Sequence, residues 1–348
     1  MSAAAPGLRL AREVPLRARN TFGVEATAPL LVEVLDLAAL PTAFALAELR
    51  ADPPLVLGGG SNLLLAALRT PPLLQLRGES IAVVADDGLR ARVRAEAGAG
   101  WHALVEWTLA RGLRGLENLA LIPGSVGAAP IQNIGAYGVE LAEHVHAVEA
   151  YDPAAARWHR FDRAQCRFGY RDSLFKQAGA GLVVTALELE LRRDAPLRLG
   201  YAGIAEALAA RGVHAPDARA VADAVIALRR RKLPDPAQLG NAGSFFKNPL
   251  VPAAQAEALR AAHPGLPQWP AADGRCKLSA AWLIEQAGCK GARAGDAGIS
   301  DRHALVLVNH GAASGAQLLA FAREVAAAVA ARFGIALEPE PRIVGAAW

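Results

Sequence analysis

The sequence predicts an α+β protein of more than one domain, and three observations lead there. Strand-like segments alternate irregularly with helix-like ones instead of following a regular βαβ order. Past a composition shift near Asp217 helices dominate. The chain of 348 residues is long enough for two or three domains at roughly 150 residues each. Taken in order, residues 30–35 read as strand, 42–49 as helix and 55–57 as a short apolar strand. Gly58-Gly59-Gly60-Ser61-Asn62 follows, then the apolar run 63–65. Residues 89–97 alternate Leu/Arg/Ala/Arg/Val/Arg/Ala/Glu/Ala, the period-two pattern of a half-exposed strand. Across 101–111, Trp101, Leu104, Val105 and Leu109 share one helical face, closed by Gly112. Residues 182–189 read as another strand. Helices are predicted at 217–231, 253–262, 279–287 and 314–333, the last with Ser314 as N-cap and Gly334 just past its end. A short strand at 342–344 closes the chain, and no internal repeat is evident.

Composition narrows the function. Hydrophobic residues make up 53% and charged residues 20%, which is the balance of a globular chain rather than a disordered one. The net charge is +4, and the bases are almost all Arg. They are scattered, with Arg229-Arg230-Arg231-Lys232 the densest cluster, at a predicted helix end. This modest excess suits anionic small molecules and lacks the sustained basic face that nucleic acid requires. Cys166, Cys276 and Cys289 are odd in number and lack C-x-x-C spacing, so they imply a reducing compartment without a disulfide framework or a zinc site. The eight His residues show no metal-ligand spacing. The first residues carry no apolar signal region, and the longest uncharged stretch, 119–139, is too rich in Pro, Gly, Gln and Asn to span a membrane. A cytoplasmic protein without membrane insertion is expected.

Two glycine-rich segments carry the chemistry. In Gly58-Gly59-Gly60-Ser61-Asn62, consecutive glycines allow backbone N–H groups to approach a pyrophosphate. The strand-like run behind them rules out a Rossmann unit, where a helix should open. An ordinary strand–turn–strand connection explains the loop equally well. The segment 116–138 is nearly free of charge, and Ser125, Gln132, Asn133 and Tyr137 offer it only neutral polar groups. Such a wall suits an aromatic cofactor that brings its own phosphates, or a buried packing segment.

Several blocks, in order along nearly the whole chain, resemble the UDP-N-acetylenolpyruvoylglucosamine reductase (MurB) family. They are Asn20-Thr21-Phe22, the 58–62 loop, the block 122–138 and Tyr170-Arg171-Asp172-Ser173, then Lys232-Leu233-Pro234-Asp235-Pro236, the block 240–249 and Glu338-Pro339-Glu340. The resemblance implies a two-part FAD-binding region of the vanillyl-alcohol-oxidase (PCMH) type plus a smaller α+β substrate-binding domain. It divides the chain into residues 1–70 joined by a C-terminal strand at 335–348, residues 71–216, and residues 217–334. It also implies NADPH as co-substrate, a non-covalent FAD, and reduction of UDP-N-acetylglucosamine enolpyruvate to UDP-N-acetylmuramate for peptidoglycan. Cell-wall biogenesis, cell shape and cell division follow from that product. Tyr201 resembles the tyrosine of the extra loop that marks the longer family type.

The resemblance assigns cofactor binding to Gly58, Gly59, Gly60, Ser61 and Asn62, and to Ile122, Pro123, Gly124, Ser125, Gln132, Asn133, Gly135, Ala136, Tyr137 and Gly138. Tyr170, Tyr201, Lys232, Asn248 and Gln286 fall to substrate, and no residue to a metal. Hydride addition to an enol ether leaves negative charge on the neighbouring carbon and its carboxylate, so the site needs a cation and a proton donor. Arg171 supplies a planar fork that Lys would not copy; otherwise it is a local partner for Asp172. Ser244 resembles the family's proton donor; otherwise it ends a glycine-rich turn. Glu340 resembles the third catalytic member, most useful when protonated or hydrogen-bonded; otherwise it is a solvated strand-edge carboxylate, and only the resemblance selects it over Glu338. These three sit 73 and 96 positions apart, so a fold must assemble them. Lys232 is also explained as charge complementing a helix C-terminus.

Two positions depart from the family pattern. Pro341 follows Glu340 where an N–H is expected, which removes a ladder donor and puts the local register in question. Ala281 precedes Trp282 where Gly is usual. A flavin oxidase on a similar fold would need another substrate domain than the 240–249 block indicates. A nucleotide-sugar sensor would have no use for Arg171, Ser244 and Glu340, and a serine hydrolase would need a G-x-S-x-G elbow. No apolar interface stripe stands out, so a monomer is expected.

Overall fold

The computed structural model describes residues 6–271 and 273–348; the segment read for a signal begins outside them, at residues 1–5. Helix and strand are mixed throughout, as the α+β expectation requires. The chain forms two compact units. One comprises the chain up to Val14, Ala28–Gly59 and Pro71–Arg231; the other comprises Pro15–Thr27, Gly60–Thr70 and Lys232–Trp348.

The first unit is built on a five-stranded antiparallel sheet in the order Arg157–Asp162, Val145–Asp152, Val183–Arg192, Arg90–Glu96, Ile81–Asp86. The Arg/Ala alternation does what its period demands. Ala91, Val93 and Ala95 are buried in the core, while Arg94 reaches across the sheet to Glu149 through bonds of 2.9 and 2.7 Å. Arg160 forks onto Glu188 in the same way. Helix Trp101–Leu109 contributes Trp101, Leu104 and Val105 to this core. Helix Ala218–Lys232 contributes Val221, Ala222, Val225 and Leu228. That burial carries the chain of this unit on to Arg231, past the composition shift near Asp217. A second core lies under a sheet ordered Leu8–Pro15, Thr27–Val34, Leu73–Leu76, Leu55–Val56, where Leu30, Val32 and Val34 meet Leu40, Ala43, Leu74 and Leu76.

In the second unit, the strands Gly240–Asn241, Leu307–Asn309, Ala297–Ile299 and Arg293–Ala294 form one sheet. Helix Gly315–Phe333 packs against it and against Leu63–Leu65. That helix starts where Ser314 accepts from Gln317 N and ends at Gly334, whose φ of 65° lies in the left-handed region. Strand Arg342–Val344 runs parallel to Leu63–Leu65. Pro341 lies just outside this ladder, which begins with Arg342 N donating to Asn62 O at 3.0 Å. The proline therefore removes no donor that the strand uses, and the register is regular. No helix among the described residues is long and apolar enough to cross a membrane.

Candidate functional site

The 58–61 loop is stripped of side chains by its neighbours. A Cβ on Gly58 would lie 2.5 Å from Ser125 Oγ, and one on Gly59 would lie 3.1 Å from Gly124 Cα. On Gly60, at φ 64°, a Cβ would fall 2.0 Å from Arg19 O. Among the described residues, the N–H groups of Gly58, Gly59, Gly60 and Ser61 form no hydrogen bond within the chain. Unspent N–H donors on consecutive glycines are the kind that an anion takes up. In the second unit, Thr21 N donates to Gly60 O at 3.1 Å, while the buried Thr21 Oγ1 has no partner among the described residues. In each unit such neutral N–H or hydroxyl donors are of the kind that fits the phosphates of FAD.

The segment 116–138 owes its shape to the same close approach. A Cβ on Gly127 would lie 2.6 Å from that of Ala97, and Trp101 N donates to Gly124 O at 3.0 Å. Gly135–Ala136 pairs with Val139–Glu140 across a two-residue turn, with Tyr137 and Gly138 at φ 50° and 81°. Tyr137 meets Tyr201 edge-on at 5.0 Å between ring centroids, so Tyr201 reaches the glycine segment. Burial raises the Tyr137 phenol above its usual range. The Asn133 amide is spent internally: Nδ2 donates to Glu140 and to Gly169 O, and Oδ1 accepts from Ala142 N. Any contact of Asn133 with a cofactor therefore falls to its backbone. Sequence reading passed over Asn118, whose Nδ2 ties Tyr137 O to Arg198 O. Its position as a polar residue in a nearly charge-free run was the available signal. Ile122, Gly124, Ser125, Gln132, Gly135 and Ala136 are half-buried, and Pro123 and Gly138 are exposed.

Arg171 joins this wall. Gly169 and Asp172 bond to each other across a two-residue turn, and Arg171 occupies it at φ 54°. Its Nη2 donates to Gly135 O at 2.7 Å, and its guanidinium lies 5.3 Å from the Tyr170 ring centroid. Asp172 is engaged elsewhere, accepting from Ser173 N and Gln177 Nε2.

In the second unit the chain brings Ser244 beside Glu340. Glu340 N donates to Phe245 O at 2.7 Å, Phe246 bridges Pro339, and Lys247 N donates to Glu338 O at 3.0 Å. The two acidic residues then part company. Glu338 is exposed and pairs with Lys247 Nζ at 3.0 Å, whereas Glu340 is half-buried. Ser61 and Asn62 are half-buried in this unit, and Asn62 O holds the closing strand. Lys232 ends its helix half-buried, and its charge bears on His303, which burial above all holds below the usual imidazole range. Asn248 Oδ1 accepts from Ala280 N and so starts helix Ala280–Gln286. Gln286 is exposed on the last turn of that helix, and its carbonyl accepts from Arg332.

Comparison with known proteins bears on both units. Residues 28–162 match the family described as FAD binding domain, and residues 235–344 match the C-terminal domain of UDP-N-acetylenolpyruvoylglucosamine reductase. A curated reductase of that name from Xanthomonas euvesicatoria pv. vesicatoria (strain 85-10) is 54% identical over 343 residues, covering 98% of each chain. Another from Xanthomonas campestris pv. campestris (strain B100) is 54% identical over 350 residues and covers both chains fully. The crystal structure of the Thermus caldophilus reductase (MurB) aligns at TM-score 0.68 with 28% identity, over 97% of this chain and 99% of that one.

Proposed function

Since the chain belongs to the UDP-N-acetylenolpyruvoylglucosamine reductase (MurB) family and is an FAD oxidoreductase, we propose that NADPH drives its reduction of UDP-N-acetylglucosamine enolpyruvate to UDP-N-acetylmuramate. When bound, FAD supplies hydride transfer from the nicotinamide to the enolpyruvyl group. The backbone N–H groups of 58–61 bind the cofactor's phosphates, and the segment 122–138 carries its ring system. Arg171 holds the substrate carboxylate in its guanidinium fork as negative charge accumulates there. Ser244 delivers the proton to the adjacent carbon. Glu340 orients that hydroxyl and completes the catalytic set. Lys232 and Asn248 bind the diphosphate and uridine, with Tyr170, Tyr201 and Gln286 completing the substrate contacts. In this reading the cofactor site draws on residues 1–70, 71–216 and 335–348, and the substrate site on 217–334. The protein acts as a cytoplasmic monomer; its three free thiols support a reducing compartment.

The observation that supports this most is the backbone bond from Glu340 N to Phe245 O, which brings together Ser244 and Glu340 from positions 96 apart. The test is anaerobic: the purified protein is reduced with NADPH, the enolpyruvyl substrate is added, and the flavin spectrum is followed. Bleaching followed by recovery of oxidised FAD is expected. Bleaching without recovery would point to another acceptor, and FAD that NADPH never bleaches would refute the nicotinamide assignment.

A further inference from the structure

Asn118 lies on the single helical turn Glu117–Leu119, and that turn is firmly anchored. Glu117 and Leu119 on either side are buried; Glu117 accepts from Gly115 N at 2.6 Å, and Leu119 O accepts from Nε1 of the buried Trp101 at 3.0 Å. From this base the fully buried Asn118 amide reaches two other segments. Its Nδ2 donates to Tyr137 O at 2.8 Å and to Arg198 O at 2.9 Å. Its Oδ1 is enclosed and has no partner among the described residues. An amide oxygen buried unpaired destabilises a fold, and an apolar side chain would avoid that cost. What Asn118 supplies against it is the bridge between two carbonyls. The bridge matters more at one end than at the other. Tyr137 stands in a hairpin with backbone pairing of its own, Gly135–Ala136 to Val139–Glu140. Residues 193–203, between strand Val183–Arg192 and helix Ile204–Ala209, contain no regular element. Among the described residues, no backbone group from Asp194 to Gly200 bonds to another backbone group. Side chains hold this stretch instead. Leu197 and Leu199 rest half-buried on the core, Arg114 Nη1 donates to Ala195 O at 3.3 Å, and Arg198 makes an exposed ion pair with Glu143 at 3.3 Å. The Asn118 bond is shorter than these and comes from a side chain shut off from water, where a hydrogen bond is strongest. Three positions past Arg198, Tyr201 is 45% exposed and meets the Tyr137 ring edge-on. One amide therefore ties the segments that carry both tyrosines.

We propose that Asn118 is a positioning residue for Tyr201: it holds the stretch 194–201 against the hairpin, so that the Tyr201 ring meets the UDP-sugar beside Tyr137. The inference rests on the reading of Tyr201 as a substrate contact.

The test compares FAD-loaded wild type with Asn118→Ala, Tyr201→Ala and the double variant. It reads the dissociation constant of UDP-N-acetylmuramate from the flavin spectrum, KM and kcat with the enolpyruvyl substrate, and the rate at which trypsin cuts after Arg198. In Asn118→Ala the dissociation constant and KM rise at least tenfold while kcat stays within threefold, the mark of lost substrate binding rather than lost chemistry. Trypsin cuts after Arg198 at least tenfold faster, because the stretch has lost its buried tie. Tyr201→Ala also raises the dissociation constant at least tenfold. Adding Asn118→Ala to it then changes that constant less than twofold, since a residue acting through Tyr201 has nothing left to position. An Asn118→Ala dissociation constant within twofold of wild type would overturn the proposal. Two losses that multiply in the double variant would overturn it as well, and so would a tenfold fall in kcat at unchanged KM. In each of those cases a weakened Tyr201→Ala leaves the substrate reading of Tyr201 standing. Tyr201→Ala that binds like wild type would refute that reading, and the proposal with it. Should Asn118→Ala not fold, Asn118→Leu, which fills the space without either donor, decides on the same quantities.

Discussion

Arg171 occupies a backbone position that glycine would take more easily. At φ 54° in a two-residue turn, an L-side chain costs about 1 kcal/mol or more, and such strain persists where the surroundings or the chemistry require the side chain. Its fork already satisfies Gly135 O. Arg171→Lys is expected to lower kcat at least tenfold while leaving the melting temperature within a few degrees. Near-normal turnover would reduce Arg171 to a brace for the turn. Ser244→Ala is expected to leave flavin reduction by NADPH intact and to slow reoxidation by the enolpyruvyl substrate in stopped flow. Equal loss in both half-reactions would contradict a proton-donor role. The acidic pair offers the sharpest contrast. Glu338 makes an exposed ion pair with Lys247, the kind worth at most about 1 kcal/mol. Glu338→Gln should therefore turn over like wild type, whereas Glu340→Gln should lose most activity. Sequence periodicity placed both on one face of a strand. Only the fold separates a surface carboxylate from a half-buried one.

At the scale of elements, helices were legible where their ends were chemically marked. Ser314 and Gly334 bracket the observed helix Gly315–Phe333, and Ser279 accepts from Trp282 N at the start of Ala280–Gln286. Residues 42–49 were expected as one helix but form Leu40–Phe44 and Ala47–Ala51, because Leu46 between them is extended at ψ 135°. Among the strands that escaped the pattern, four of the first unit show why. Leu8–Pro15 and Ile81–Asp86 are almost wholly exposed edges, so burial imposes no alternation on their sequence. Val145–Asp152 shifts register twice against its partner, which breaks the period of two, and Arg157–Asp162 depends on that strand. The helix starting at Gly315 yields a prediction of its own. A Cβ there would lie 1.7 Å from Leu65 O, so Gly315→Ala must move backbone and should cost about 2–4 kcal/mol in urea unfolding. Ser314→Ala, which loses only a cap, should cost about 1 kcal/mol. A Gly315→Ala cost no larger than that of Ser314→Ala would mean that the helix slides freely past strand Leu63–Leu65.

For the whole molecule, buried titratable groups set the pH range of stability. Burial is the largest cause holding His102, His144 and His303 below the ordinary imidazole value. The unfolded chain therefore binds more protons once the pH falls below about 6.5. Stability from these groups is fully present above that value and is lost down through the folded values. Glu117 works the other way: burial raises it, so its folded form binds a proton that the unfolded chain has released, and it favours folding at mildly acid pH. Three imidazoles outweigh one carboxyl in the window just below 6.5. Urea unfolding should accordingly give a lower free energy at pH 5.5 than at pH 7.5, with a smaller drop in His144→Gln. A flat or rising profile toward acid would contradict this.

The sequence by itself determined the family, the glycine loops and the capped helices, because these are local: a loop needs its glycines and a cap its hydroxyl. Tertiary structure decided what depends on remote partners. It set the chain path of the first unit, through the apolar face that helix Ala218–Lys232 buries there. It brought Ser244 beside Glu340 through a backbone bond that no spacing foretells. It also turned Arg229 inward while Arg230 and Arg231 stayed in water. Burial and charge compensation belong to surfaces that meet, and a sequence lists its surfaces one at a time.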